Sequence, residues 1–415
     1  MTYQWGSQQA AALAEVSRWL SNPNGQQVFR LFGFAGTGKT TLAKHLAESV
    51  NKTIYAAYTG KAASVMRASG CYGAQTIHSL IYKPLGQSHD KLKEIKEELD
   101  QITEWLTDPT LPENRREHLS RRREMLMGAF SNEKQKANNL EFLIKTDSDL
   151  KTADLLVLDE VSMVSEDMAM DLLSFNKPIL ALGDPAQLPP VFGNGYFTDA
   201  KPDIMLTEIH RQARDNPIID LATRVREGRP LQFGSYGESK IVRRGDPADI
   251  VEATQILVGL NVTRVKTNQY YRRLKGWSNN PYPVAGEKLV CLRNDKEVGL
   301  LNGTLHITTQ DALLADEDFL ILRMRAEDEV QMSDMVVQAH PQHFHGNPDD
   351  ISPWERTLAQ EFTYGYAMTV HKAQGSGWKD VLLVDEWKNR DSRQRWLYTG
   401  ITRAKERITI VRNDG

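Results

Sequence analysis

Short apolar runs alternate with helical periodicities over the first third of the chain. VFRLFGF (Val28 to Phe34) reads as a buried strand, TTLAKHLAESV (Thr40 to Val50) as the helix after it, and TIYAAY (Thr53 to Tyr58) as the next strand. LLVLDE (Leu155 to Glu160) and ILALGD (Ile179 to Asp184) are two further apolar runs that end in acids. Each would deliver a carboxylate to the carboxyl end of a strand, where parallel sheets bind their ligands. Between these halves the pattern changes. Leu92, Ile95, Leu99, Ile102 and Leu106 recur at spacings of three and four, the apolar seam of a helix packed on a partner. Asp108-Pro109 breaks that helix, and Pro112 suits the first turn of a second one carrying Leu119, Leu126 and Phe130. The segment predicts an antiparallel helical arm, with a charged solvated coil as the bland alternative. GEKLVCLRN, GTLHITTQ and FLILRMRAED then predict a small barrel or sheet, before DVLLVDE and RITIVRN resume the α/β pattern.

Composition narrows the classes. A chain of 415 residues that is 40% hydrophobic can build several cores. The net charge of −3 excludes a polycation that grips nucleic acid by bulk electrostatics, so any such site must be local. The two cysteines, Cys71 and Cys291, form no disulfide or metal pattern, which fits a reducing cytoplasm. No run approaches a membrane span and the first residues carry no signal-peptide core, so a soluble cytoplasmic protein without a membrane partner is expected. His340, His343 and His345 lack acidic or cysteine partners at ligand spacing and read as a loop.

The strongest chemical signal is Gly33-Phe34-Ala35-Gly36-Thr37-Gly38-Lys39-Thr40, a complete G-x-x-x-x-G-K-T between a predicted strand and a predicted helix. The glycines let backbone N–H groups converge on phosphates at a helix N-terminus, so Gly36, Thr37 and Gly38 are expected to cradle ATP. Lys39 would bind the β/γ-phosphates and Thr40 would ligate Mg2+. Asp159-Glu160 fits the second half of such a site. Asp159 would hold Mg2+ and Glu160 would orient and deprotonate the attacking water.

DEVSMV (Asp159 to Val164) and GDPAQLPPV (Gly183 to Val191) resemble motifs II and III of the superfamily 1B DNA helicases, in the branch containing RecD and Dda. Further matches follow in that branch's order. Gln9 in SQQAAAL resembles the adenine-reading Q motif, YTGKAA motif Ia, and TIHSLI the next DNA-contacting motif. LTEIHRQA, YAMTVHKAQG and YTGITRAKERI resemble motifs IV, V and VI. The resemblance implies an α/β fold with two RecA-like P-loop lobes on parallel sheets, a helical insertion (1B) in the first and a small β-rich SH3-like insertion (2B) in the second. The expected division is lobe 1A at 1–83 and 151–200, arm 1B at 84–150, lobe 2A at 201–283 and 364–415, and domain 2B at 284–363.

The same resemblance assigns Arg211 and Arg403 as arginines that reach the γ-phosphate from the second lobe, and Gln187 as its sensor. Together with Gln9, Lys39, Asp159 and Glu160 they make up the expected ATP site. It also assigns Thr59, Lys61, Thr76 and His78 in the first lobe, with Thr369, His371 and Lys372 in the second, as contacts to single-stranded or forked DNA. Travel from 5′ to 3′ is implied by the resemblance alone. Single-strand-binding, replication or recombination proteins are expected partners, and a monomer is expected. The chain has no room for the large amino-terminal domain of full-length RecD proteins, which favours the compact Dda-like form. Gly377 departs from the family, standing where many relatives carry an acid expected to reach the ribose. A translocase without processive unwinding, a nucleotide-switched binding module and an RNA track remain open alternatives.

Overall fold

The structure is a computed structural model, which describes residues 5–22, 24–83, 112–138, 143–189, 195–208, 216–295, 298–316, 319–327, 334–345, 348–351 and 359–412, with single positions at 95, 98, 99, 101, 102 and 356. Strand β1 (Val28–Gly33) runs into the glycine-rich loop and is followed by β2 (Thr53–Ala57) and β3 (Gln75–Thr76). The chain leaves this lobe through β4 (Tyr82–Lys83) and returns through β5 (Leu143–Ile144), which pairs antiparallel with β4. It then lays down β6 (Leu155–Asp159), β7 (Ile179–Gly183) and β8 (Ile204–Leu206). The sheet order is β3-β2-β6-β7-β1-β8 and its pairings are parallel. Leu155 to Leu158 and Ile179 to Leu182 are fully buried, as strands covered on both faces must be. Ala12, Val16 and Trp19 of the helix Ser7–Ser21 pack in one core with Leu42 and Leu46 of the helix Lys39–Ala47.

A second sheet follows the same logic. Strands β9 (Gly234–Tyr236), β10 (Ser239–Val242) and β11 (Gln255–Val258) come before a long excursion; β18 (Ala367–Thr369), β19 (Trp378–Val384) and β20 (Ala404–Val411) come after it. The order is β18-β11-β19-β20-β10-β9. Its pairings are parallel except for the edge strand β9, which joins β10 as a short hairpin and so departs from the expected all-parallel sheet. Both lobes belong to one compact unit, which therefore contains the space between them.

Tyr82–Lys145 and Asn280–Thr363 form a separate unit. Its helical part contains the helix Glu113–Asn138, whose Leu126 and Phe130 are buried against Leu99 and Ile102, with Ile95 and Leu119 packed alongside. The apolar seam therefore has its partner. Arg122 and Glu98 add an ion pair of 2.9 Å across the same two segments. Pro112 precedes the helix rather than entering its first turn, its carbonyl accepting from the Arg115 and Arg116 amides. Leu92, Leu106 and the break at Asp108-Pro109 lie outside the described residues. The β-rich part comprises β12 (Lys288–Cys291), β13 (Leu305–Thr308), β14 (Leu313–Asp316), β15 (Phe319–Ala326), β16 (Met335–Ala339) and β17 (Phe362–Tyr364). They form a sheet of order β14-β15-β13-β12-β17, with β16 on β15. The histidine tract contains the short helix Gln342–His345 rather than a plain loop. Burial pushes the His343 imidazole down to about 4, and no metal-binding cluster of His, Cys, Asp or Glu occurs among the described residues. No described helix is long and apolar enough to cross a membrane.

Candidate nucleotide cleft

The register of the first sheet sets the site. Ala57 lies level with Asp159 and Phe32 level with Gly183, so the glycine loop, the acid pair and the loop after β7 emerge at one sheet edge. The turn after β1 needs its glycines: Gly36 and Gly38 both sit at φ of 79°, in left-handed backbone. At Gly38 an added Cβ would meet Gln9 Nε2 at 2.8 Å. That nitrogen donates to the Thr37 carbonyl at 3.0 Å, while Gln9 Oε1 accepts from the Gly6 amide at 3.1 Å. Gln9 thus ties the first helix to the glycine loop. Lys39 Nζ donates to the Gly33 and Phe34 carbonyls at 2.7 and 3.2 Å.

Thr40 and Asp159, distant in sequence, meet here: Thr40 Oγ1 donates to Asp159 Oδ2 at 2.9 Å. Asp159 Oδ1 accepts from the Glu160 amide at 2.8 Å. Glu160 itself adopts φ 54° and ψ 44°, a left-handed conformation uncommon outside glycine and asparagine. The strand therefore ends in a sharp turn that aims its carboxylate into the cleft. Burial raises the Glu160 pKa above the ordinary glutamate value and neighbouring Asp159 adds to this, while Arg403 and Lys39 oppose it.

Arg403 comes from the second lobe. It is buried and held by the carbonyls of Thr399 and Ser376 and by Thr402 Oγ1, each at 3.1 Å. Its Nη1 lies 3.9 Å from Glu160 Oε1. A cavity of about 220 Å³ is lined by Lys39, Thr40, Asp159, Glu160, Gln187 and Arg403 among others. Gln187 is buried, and its Oε1 has no hydrogen-bond partner among the described residues. Arg211 lies outside the described residues.

Several residues of the cleft carry no expectation from the sequence. Tyr398 Oη donates to Asp184 Oδ2 at 2.6 Å and accepts from the Ala35 amide at 3.0 Å. Burial and the nearby Asp184 carboxylate raise its pKa. The Arg226 guanidinium sits 3.6 Å from the centre of the Phe34 ring, a further contact from the second lobe to the glycine loop. Tyr398 opens the YTGITRAKERI string, but nothing local marks its partners, since Asp184 is 214 positions away.

The seven expected DNA contacts fall into two groups. Thr59 caps the helix Gly60–Ala68 by accepting from the Ala62 amide at 3.1 Å, and Thr76 Oγ1 accepts from the Ser79 amide at 3.1 Å. His78 stands edge-on to Tyr58 with ring centres 6.2 Å apart. Lys61 lies in the first turn of the helix that Thr59 caps. In the second lobe, Thr369 Oγ1 accepts from the Lys372 amide at 3.3 Å, and His371 packs on Trp387 at 5.2 Å. Burial lowers the His371 pKa below the ordinary imidazole value. The groups adjoin at Gly375, whose φ is 74° and where a Cβ would meet Thr59 Oγ1 at 2.8 Å. Gly377 packs against Lys405 Cε, which a Cβ would meet at 3.2 Å.

A glycine loop after β1, a carboxylate pair at the end of β6 and an arginine from the lobe of the second sheet define a two-lobed P-loop fold. An AAA domain family matches residues 4–247, and a UvrD-like helicase C-terminal domain matches residues 364–411. The chain belongs to the AAA domain family. It is similar to the ATP-dependent RecD2 DNA helicase of Deinococcus radiodurans, with 29% identity over 282 residues, 61% of this chain and 36% of that protein. The chain thus corresponds to little more than a third of that relative's length. Among solved structures, Bacteroides Pif1 bound to single-stranded DNA shares the fold with a TM-score of 0.52 and 16% identity, over 98% of this chain and 92% of that one. Pif1 of Candida albicans shares it with a TM-score of 0.50 and 18% identity, over 99% and 94%.

Proposed function

We propose that this chain is an ATP-dependent DNA helicase that moves along single-stranded DNA from 5′ to 3′ by closing and opening its two lobes. One observation carries the reading: Arg403 of one lobe and Glu160 of the other stand 3.9 Å apart in the cavity that Lys39 and Thr40 also line. A site that draws its groups from both lobes couples fuel turnover to lobe motion. Closure can be driven only by the nucleotide's preference for the closed arrangement, and residues reaching across the cleft are where that preference arises.

In this reading Gly36, Thr37, Gly38 and Lys39 bind the phosphates of ATP and Gln9 reads the base. The hydroxyl of Thr40 and the carboxylate of Asp159, 2.9 Å apart, are hard oxygen donors of the kind that suit Mg2+. When bound, the ion neutralises charge on the phosphate oxygens. Glu160 orients and deprotonates water. Arg403, with Arg211, offsets charge on the transferred phosphoryl group, a role worth about 10³ to 10⁵ in rate where measured. Thr59, Lys61, Thr76, His78, Thr369, His371 and Lys372 hold the DNA backbone without reading its sequence, as stepping requires. The solved Bacteroides Pif1 relative is bound to single-stranded DNA, which supports DNA as the track.

The test is strand displacement on duplexes with a 5′ or a 3′ tail, with and without ATP, alongside ATPase rates with and without single-stranded DNA. Displacement of the 5′-tailed substrate only, lost in Lys39→Ala, is expected. Stimulated ATPase without displacement would identify a translocase, and an ATPase indifferent to DNA would sink the motor reading.

A further inference from the structure

The loop after β7, Asp184 to Leu188, belongs to the first lobe, yet its conformation is fixed by the second. Asp184 is only 3% exposed. Its Oδ1 accepts from the Ala186 amide at 3.0 Å, which shapes the turn, and its Oδ2 accepts from Tyr398 Oη at 2.6 Å. At the other end of the loop, the Leu188 amide donates to Thr399 Oγ1 at 2.9 Å, and the Leu188 carbonyl accepts from Gln374 Nε2 at 2.8 Å. Tyr398 and Thr399 lie on the helix Arg390–Ile401, and Gln374 follows Lys372 in the turn after β18. Gln187, between the anchored ends, is buried with an Oε1 that has no partner among the described residues, and it lines the same cavity as Lys39 and Arg403. The same phenol also accepts from Ala35 of the glycine loop. A single hydroxyl thereby joins the phosphate loop, the loop that carries Gln187, and a helix of the opposite lobe.

We infer that Tyr398 is a positioning residue: its hydroxyl, with Thr399 and Gln374, straps the Asp184 to Leu188 loop to the second lobe, so that Gln187 faces the nucleotide only when the lobes are together. The inference rests on the ATPase reading above and adds a route for coupling. Gln374 lies two residues beyond Lys372, a candidate DNA contact, so displacement of that turn by DNA is transmitted to the Leu188 carbonyl and hence to Gln187. Lobe separation breaks every bond of the strap. Because Asp184 is buried, loss of its donor leaves a carboxylate without its charge-assisted partner.

Tyr398→Phe keeps the ring and removes the hydroxyl. The experiment measures kcat and KM for ATP with and without single-stranded DNA, the Kd for that DNA, and thermal stability, in the native chain, in Tyr398→Phe, in Asp184→Asn and in the double variant. The expected result is a loss of DNA stimulation of kcat of about tenfold or more, the scale of one charge-assisted hydrogen bond, with KM for ATP and Kd for DNA changed by less than about twofold. The double variant should be no worse than Tyr398→Phe, because Asp184→Asn weakens a bond that Tyr398→Phe already removes along with the Ala35 contact. Undiminished stimulation in Tyr398→Phe overturns the inference, as does a fall in which kcat, KM, DNA affinity and stability deteriorate together. Should Tyr398→Phe not fold, Thr399→Val tests the opposite anchor: the same selective loss of stimulation is expected, and undiminished stimulation overturns the inference. Absence of DNA stimulation in the native chain would instead overturn the helicase reading, which separates the two failures.

Discussion

Glu160 concentrates two costs in one residue. Left-handed backbone at a non-glycine position costs on the order of 1 kcal/mol, and burial of its carboxylate opposes ionisation. Both are explicable if the side chain serves as a base, because a raised pKa makes a carboxylate a stronger proton acceptor. Glu160→Gln should retain ATP binding and lower kcat by about 10² to 10⁴, measured as single-turnover hydrolysis beside nucleotide affinity. The sign of the pH dependence follows from the raised value. Glu160 must be ionised to act, so turnover should fall with decreasing pH at a point above the ordinary glutamate range, and the residual rate of Glu160→Gln should lack that limb. An acid limb at the ordinary position would remove Glu160 as the base. Much at this scale is legible in the sequence, because Gly36 to Thr40 and Asp159-Glu160 form contiguous strings whose chemistry depends on adjacency. Tyr398, Arg226 and Gln374 are not, because their roles come from partners that only folding brings near.

Among the elements, β18 is the one whose support is hidden in polar letters. Gln255 is fully buried and donates from Nε2 to the Gly365 and Tyr366 carbonyls at 3.0 and 2.9 Å. Asn268 donates to the Tyr364 carbonyl at 3.0 Å and accepts from the Ala367 amide at 2.8 Å, while Tyr271 stacks on Tyr366 with ring centres 3.9 Å apart. These contacts fix the strand that presents Thr369, His371 and Lys372. Asn268→Ala strands two buried backbone groups and should cost about 1–3 kcal/mol of stability, read from denaturant midpoints at unchanged m-value. It should weaken DNA binding more than ATP binding; the reverse would mean that the brace serves the nucleotide side. The apolar strands and the arm's seam are visible in sequence because burial repeats with a period. The short antiparallel β9 and the helix at Gln342 carry too few residues to show one.

For the molecule as a whole, the modest set of candidate DNA contacts predicts that binding, if it uses them, depends weakly on salt. If Lys61 and Lys372 are the cations that meet phosphate, the slope of log K against log salt should be near about −1.4, two single-strand phosphate contacts at about −0.7 each. A slope several times steeper would require a basic surface that these residues do not supply. The pairing of Tyr82 with Ile144 and of Lys83 with Leu143 has a different consequence. The helical excursion is attached through a two-stranded neck whose ends already stand side by side, so the chain can be rejoined there by a tight Asn-Gly turn. Such a graft should preserve hydrolysis while discarding whatever the excursion touches. The neck thus makes the excursion separable as a cassette: a different insert closed by the same two short strands should leave the register of the first sheet untouched.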